Sequence, residues 1–201
     1  MKAIVTTRQG KVEGQLFDSV YTFKGIPYAA PPFGARRFLP PQPVEPWDGV
    51  RSAFAYGPTP PQVTYPAPFD ALFPELVVAG EDCLNLNVWS PGLGPIGRPV
   101  MVWIAGGAFE HMTNAPYYDG SRFARDGIVC VSINYRVGAD GFLYLGDGTA
   151  NCGLLDQVAA TSNARRYLCG TAPTLLVAMI LTIASDQRTA IGIGTMHAVL
   201  A

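Results

Sequence analysis

The sequence predicts an α/β protein. Two short apolar runs, Val100–Ile104 and residues 128–134, are separated by a glycine-rich loop and a short helical pattern over 118–125 that stops at Asp126-Gly127. Runs of this length, rich in β-branched residues and ended by glycine or polar groups, read as strands buried on both faces. Strand, loop, helix and strand in that order is the rhythm of a largely parallel sheet joined by helical crossovers.

The remaining elements follow in chain order. Residues 3–7 and 11–16 are alternating or β-branched runs around Arg8-Gln9-Gly10, which predicts a hairpin. Residues 21–29 lead into a stretch from Pro27 to Pro99 that holds sixteen of the 18 prolines. Proline fixes φ and removes a donor, so this stretch is extended or irregular rather than helix or central strand. It is no solvated linker, because Phe23, Tyr28, Phe33, Phe38, Trp47, Phe54 and Tyr56 supply too much apolar surface. It reads as an ordered coat over the sheet. A strand is expected over 83–89, before the Val100–Ile104 strand. A helix starts near Asn151, with Leu154, Leu155 and Val158 expected on its buried face.

Composition narrows the function classes. The chain has 201 residues, 49% of them hydrophobic, ample for a core of one or two domains. Fourteen Lys and Arg balance 15 Asp and Glu, so neither nucleic acid nor a membrane surface is an expected partner. The opening Met-Lys-Ala-Ile-Val lacks the apolar stretch and cleavage site of a secretory signal, which points to the cytoplasm. Cys83, Cys130, Cys152 and Cys169 stand far apart without a CxxC or histidines at metal spacing, which predicts reduced thiols and no metal site. Residues 167–185 are uncharged, but 169–174 are weakly apolar, leaving too short a run to span ~30 Å of hydrocarbon.

The chemistry is expected at the end of the Val100–Ile104 strand. Gly106 and Gly107 have no side chains, so the chain can turn sharply there and present bare backbone N–H groups. Donors at the carboxyl end of a buried strand can hold a developing negative oxygen, as ester cleavage requires.

Eleven phrases then bring the chain close to a known family. They are Phe23-Lys-Gly-Ile-Pro-Tyr-Ala, Pro31-Pro-Phe-Gly, Arg37-Phe, Pro46-Trp-Asp-Gly-Val-Arg, Glu81-Asp-Cys-Leu, Leu86-Asn-Val-Trp, Val100-Met-Val-Trp-Ile, Gly106-Gly-Ala-Phe, Tyr118-Asp-Gly, Asn134-Tyr-Arg-Val-Gly and Gly153-Leu-Leu-Asp-Gln. In content and order they resemble the amino-terminal part of type-B carboxylesterases, of the para-nitrobenzyl esterase and cholinesterase kind. The resemblance implies an incomplete α/β-hydrolase fold: amino-terminal strands, central strand with oxyanion loop, and first helices. It implies hydrolysis of small carboxylic esters by a serine, histidine and acid triad, without a cofactor. It assigns the oxyanion hole to Gly107 and Ala108, with Gly106 shaping the turn, and a structural ion pair to Arg37 and Glu81. Two departures stand out, Ala105 where the family carries histidine and Asn85 where it prefers tyrosine. The first is expected to loosen the glycine loop.

The nucleophile is missing from this pattern. The family places it in a Gly-x-Ser-x-Gly elbow, some 25–30 residues beyond Gln157, and no such pentapeptide occurs here. Ser185, in that window, has neither flanking glycine; His111 and His197 match no triad position. The sequence divides accordingly into residues 1–160, an amino-terminal hydrolase part; 161–189, an anomalous segment; and 190–201, which resembles the helix after the elbow. Phe-Gly-Gly codons read one base late begin Leu-Val-Ala, as at Leu176-Val-Ala, so 161–189 reads as out-of-frame translation. Two functions stay open: a carboxylesterase whose chain is catalytically incomplete as written, and a non-catalytic esterase-fold remnant or binding module.

Overall fold

The computed structural model describes residues 1–168, apart from 73–75, 95–96, 112–115 and 147. Among these residues seven strands are formed: β1 (Lys2–Thr6), β2 (Lys11–Phe17), β3 (Val20–Pro27), β4 (Val50–Ser52), β5 (Asn85–Ser90), β6 (Val100–Ile104) and β7 (Val129–Ile133). Four α-helices accompany them in the same residues: α1 (Phe69–Leu72), α2 (Ser121–Arg125), α3 (Gly138–Phe142) and α4 (Cys152–Leu168). The strands make one mixed sheet in the order β1-β2-β3-β5-β7-β6, with β4 added beside β2.

The expected hairpin is present, Lys2 to Thr6 facing Gln15 to Lys11 in antiparallel register. The largely parallel sheet is not. Only β6/β7 and β2/β4 run parallel; β1/β2, β2/β3, β3/β5 and β5/β7 are antiparallel. The reason lies in the connections. Parallel neighbours need a crossover of a dozen or more residues, whereas β1 to β3 are joined by turns of a few residues that reverse the chain. The β6 strand is buried, yet it occupies one end of the strand order and pairs with β7 alone among the described residues.

The predicted glycine stop closes α2. Gly127, at φ +90°, lies in the left-handed region; its N–H donates to the Ala124 carbonyl and the Ile128 N–H to that of Phe123. These two bonds satisfy carbonyls that a helix end otherwise leaves orphaned, and they turn the chain into β7. On this face α2 sets Ala124 against Val20, Trp89, Met101 and Cys130.

The opposite face carries α4 against β6 and β7, with Ala160 and Ala164 fully buried. The apolar stripe predicted for this helix is corrected here. Leu154, Leu155 and Val158 are only half-buried, while Cys152, Gly153, Asp156, Gln157, Ala160 and Ala164 face inward. An ion pair overrides the stripe: the Asp156 carboxylate accepts from Arg136 Nε (2.8 Å), Nη2 (2.8 Å) and the backbone N–H (3.0 Å), with both side chains essentially inaccessible. Such a charge must be buried with its partner or not at all, so α4 rotates Asp156 inward and brings small residues with it.

The proline-rich stretch is the ordered coat anticipated. Its backbone is tied to the sheet by Trp47 N–H to Gln9 O (2.7 Å), Ala53 N–H to Glu13 O (2.8 Å) and Lys24 N–H to Ala53 O (2.8 Å). Where it crosses β3 the strand bulges between Phe23 and Ile26. Gly25 sits there at φ +66° and donates its N–H to Asn87 Oδ1 (2.9 Å).

Candidate functional site

The site is assembled at the carboxyl end of β6. The strand is held at its last turn by Tyr135, whose buried hydroxyl donates to the Ala105 carbonyl at 2.7 Å. Beyond that anchor Gly106 and Ala108 are exposed and Gly107 half-buried. Gly107 adopts φ +147°, and a Cβ on it would overlap the His111 carbonyl oxygen, so only glycine fits. The next two residues, Ala108 (φ +54°) and Phe109 (φ +63°), are both left-handed. A non-glycine residue held there costs about 1–3 kcal/mol and persists only where its surroundings enforce it.

The enforcing contacts are visible. The Gly107 carbonyl accepts from Glu110 N–H (3.0 Å) and His111 N–H (2.9 Å), and the Phe109 carbonyl accepts from Gly138 N–H (2.6 Å). The Phe109 ring packs on Phe142, centroids 4.6 Å apart. His111 Nδ1 lies 2.8 Å from the Val63 carbonyl, and its ring stacks on Tyr65 at 3.9 Å. The loop is thus clamped from α3 on one side and from the coat on the other. Within that clamp the N–H groups of Gly106, Gly107 and Ala108 meet no acceptor among the described residues.

Burial tunes Tyr135 beneath the loop, and two cysteines elsewhere in the fold, toward neutrality. Burial, helped by the neighbouring Tyr118 and Tyr65, pushes the Tyr135 hydroxyl well above the usual phenol range. Burial, with Asp156 second, raises the Cys83 thiol to about 12, and burial with Asp119 does the same for Cys130. Neither thiol is a nucleophile at ordinary pH. Among the described residues no group of three His, Cys, Asp or Glu side chains can hold a metal ion, and no helix is long and apolar enough to cross a membrane.

The structure brings Gly106, Gly107 and Ala108 together and adds His111 beside them. It does not bring Arg37 to Glu81, and that pairing is corrected. Arg37 Nε donates to Asp140 Oδ1 at 2.7 Å, while Glu81 is exposed and its neighbour Asp82 meets Arg51 at 3.4 Å. Asp140, in the first turn of α3, stands where the coat passes it, and its carboxylate is only 10% exposed, which leaves it in greater need of a cation than Glu81. Ser185 and His197 lie outside the described residues. Sequence reasoning missed the polar roles of Tyr28, Asn85, Arg136 and Asp156, the frame beneath the site. Tyr28 donates its hydroxyl to Asn134 O (2.6 Å), and Asn85 donates to Pro58 O and Asp82 O (2.9 Å each). The signal was an arginine three residues beyond a buried strand and an aspartate within an apolar helix.

Comparison with known proteins gives this frame a family. The model of the carboxylesterase family matches residues 1–163. Para-nitrobenzyl esterase of Bacillus subtilis is 46% identical over 174 residues, covering 82% of this chain and 35% of that protein. Mouse cholinesterase is 40% identical, covering 82% and 30%. A crystal structure of a Geobacillus stearothermophilus carboxylesterase superposes with TM-score 0.71 at 44% identity, over 82% of this chain and 34% of the other. A para-nitrobenzyl esterase structure superposes with TM-score 0.75, also at 44%. The chain spans about a third of the length of the curated relatives it matches. Its mixed sheet and few helices are the corresponding part of an α/β-hydrolase fold, and the chain belongs to the carboxylesterase family.

Proposed function

We propose that residues 1–160 are the oxyanion-binding part of a hydrolase acting on small carboxylic esters, and that this chain supplies no nucleophile of its own. One observation carries the first half: three adjacent backbone N–H groups, at Gly106, Gly107 and Ala108, without acceptors among the described residues in a loop clamped from both sides. When a serine attacks an ester carbonyl, negative charge moves to the carbonyl oxygen. Donors fixed beforehand at that point stabilise the tetrahedral intermediate without having to reorganise. The strained left-handed pair at 108–109 is the cost of holding them so. The names and structures of the relatives support the substrate class.

The second half rests on the sequence. No Gly-x-Ser-x-Gly elbow is present, and the family match ends at residue 163, just inside the segment read as out of frame. That boundary also favours the division of the chain into a hydrolase part, 161–189 and 190–201.

A chimera tests the first half. Residues 1–163 are joined to the carboxyl-terminal two-thirds of Bacillus subtilis para-nitrobenzyl esterase and assayed on para-nitrophenyl acetate. Gly107→Ala, which drives a methyl into the His111 carbonyl, lowers kcat by about 100-fold or more with little change in KM. Unchanged kcat refutes the oxyanion role. For the second half, the 201-residue chain is treated with a fluorophosphonate; no serine is labelled, and labelling of Ser185 overturns the claim.

A further inference from the structure

Two carbonyls of the glycine loop are held by hydrogen bonds, and each bond fixes more than the carbonyl. A trans peptide is planar, so its C=O and N–H point in opposite directions, and the 105–106 and 107–108 peptides are trans. The Tyr135 hydroxyl on the Ala105 carbonyl (2.7 Å) therefore also aims the Gly106 N–H. In the same way the Glu110 and His111 N–H groups on the Gly107 carbonyl (3.0 and 2.9 Å) aim the Ala108 N–H away from themselves. The two donors thus answer to different residues. His111 is in turn held by its side chain, with Nδ1 2.8 Å from the Val63 carbonyl and the ring stacked on Tyr65, 14° between the planes. This part of the coat is anchored just upstream. The Pro58 carbonyl accepts from the buried Asn85 and Asn134 amides (2.9 and 3.0 Å), and Thr59 N–H donates to Val78 O (2.9 Å).

We propose that His111 is a positioning residue for ester hydrolysis, its ring tethered to the coat so that the 107–108 peptide aims the Ala108 N–H at the oxyanion. This rests on the oxyanion reading of the loop. The contacts run without a break from the buried asparagines through Pro58, Val63 and Tyr65 to His111, and from there to one donor. To donate to the Val63 carbonyl the ring must carry its proton on Nδ1. Asparagine can replace that donor, because its amide nitrogen is bonded to the γ carbon just as Nδ1 is; leucine cannot.

Amide 15N relaxation on the full 201-residue chain tests the positioning. The Ala108 N–H has a rigid order parameter of about 0.85, and His111→Leu drops it below about 0.6. His111→Asn restores it. Gly106 stays rigid in His111→Leu and loosens instead in Tyr135→Phe. In the unmutated chain at pH 8.5 the ring 15N shifts place the proton on Nδ1. In the chimera, His111→Leu lowers kcat about tenfold with KM held, and His111→Asn stays within about twofold. A mobile Ala108 N–H in the unmutated chain, or one left rigid by His111→Leu, overturns the proposal, as does an unprotonated Nδ1. Unchanged kcat in His111→Leu, in a chimera that Gly107→Ala disables, overturns it too. If Gly107→Ala itself leaves kcat unchanged, the oxyanion reading is what has failed, and the order parameters show whether His111 still holds the peptide.

Discussion

Removing the Asp156 carboxylate is the most direct test of what holds the frame together. The side chains of the pair are 1% and 0% exposed, and three hydrogen bonds join Asp156 to Arg136. Burial works against the Arg136 charge, but the hydrogen bonds and charge of Asp156 outweigh it and hold the guanidinium above its ordinary pKa. Asp156→Ala leaves that cation buried with a single remaining acceptor, the Leu39 carbonyl at 2.9 Å. Breaking a buried pair in this way costs about 3–5 kcal/mol. With a urea slope of ~2 kcal/mol/M, the unfolding midpoint falls by about 2 M. Tryptophan emission follows the transition, since Trp89 is fully buried. The double variant Arg136→Met with Asp156→Leu, which removes both charges, returns most of that loss. A midpoint change under ~0.5 M for Asp156→Ala, or a double variant as unstable as the two singles summed, refutes the reasoning.

Two further outcomes follow from the same packing. Cys83 and Cys130 ionise near pH 9 once unfolded but only at about 12 in the fold, chiefly because burial disfavours the thiolate. Their contribution is complete below pH 9 and is lost as pH rises toward 12, at about 1.4 kcal/mol per pH unit for each thiol; unfolding midpoints at pH 8 and pH 10.5 measure it. For the ion pairs, Glu81→Gln stays within about 0.5 kcal/mol of the parent, as exposed substitutions do. Asp140→Asn, which strips Arg37 of its partner, lowers the urea midpoint by more than Glu81→Gln does, and the reverse order restores the Arg37–Glu81 assignment.

What the sequence made legible was local. The β1–β2 hairpin, the β6 and β7 strands and the glycine end of α2 each rest on a pattern contained within a dozen residues. The glycine loop was legible for the same reason, because the end of a strand and two residues without side chains stand next to each other. Strand direction was not, since β5 pairs with β7 across some forty residues and nothing in either run states its orientation. The buried face of α4 escaped as well: a helix read by its apolar stripe gives Leu154 and Leu155 inside, but Asp156 has its partner twenty residues upstream. Arg37 was misassigned because the choice between Glu81 and Asp140 depends on how the coat passes α3.

The clamp on the glycine loop is local in sequence. The loop backbone is fixed by Tyr135 on the Ala105 carbonyl, Gly138 on the Phe109 carbonyl, His111 on Gly107 and Val63, and Phe142 on Phe109. All of these partners lie between residues 63 and 142. Two left-handed residues at about 1–3 kcal/mol each would relax if that clamp came from elsewhere, yet they are held by contacts within the same stretch. The contacts that hold the proposed donors therefore come from residues 63–142. If the chimera folds and turns over substrate but Tyr135→Phe, which frees the Ala105 carbonyl, leaves kcat untouched, preorganisation by this clamp is not what the loop contributes. The expected result is a fall in kcat with KM held, smaller than that of Gly107→Ala because Tyr135 acts on the donors through the backbone rather than by touching the oxyanion.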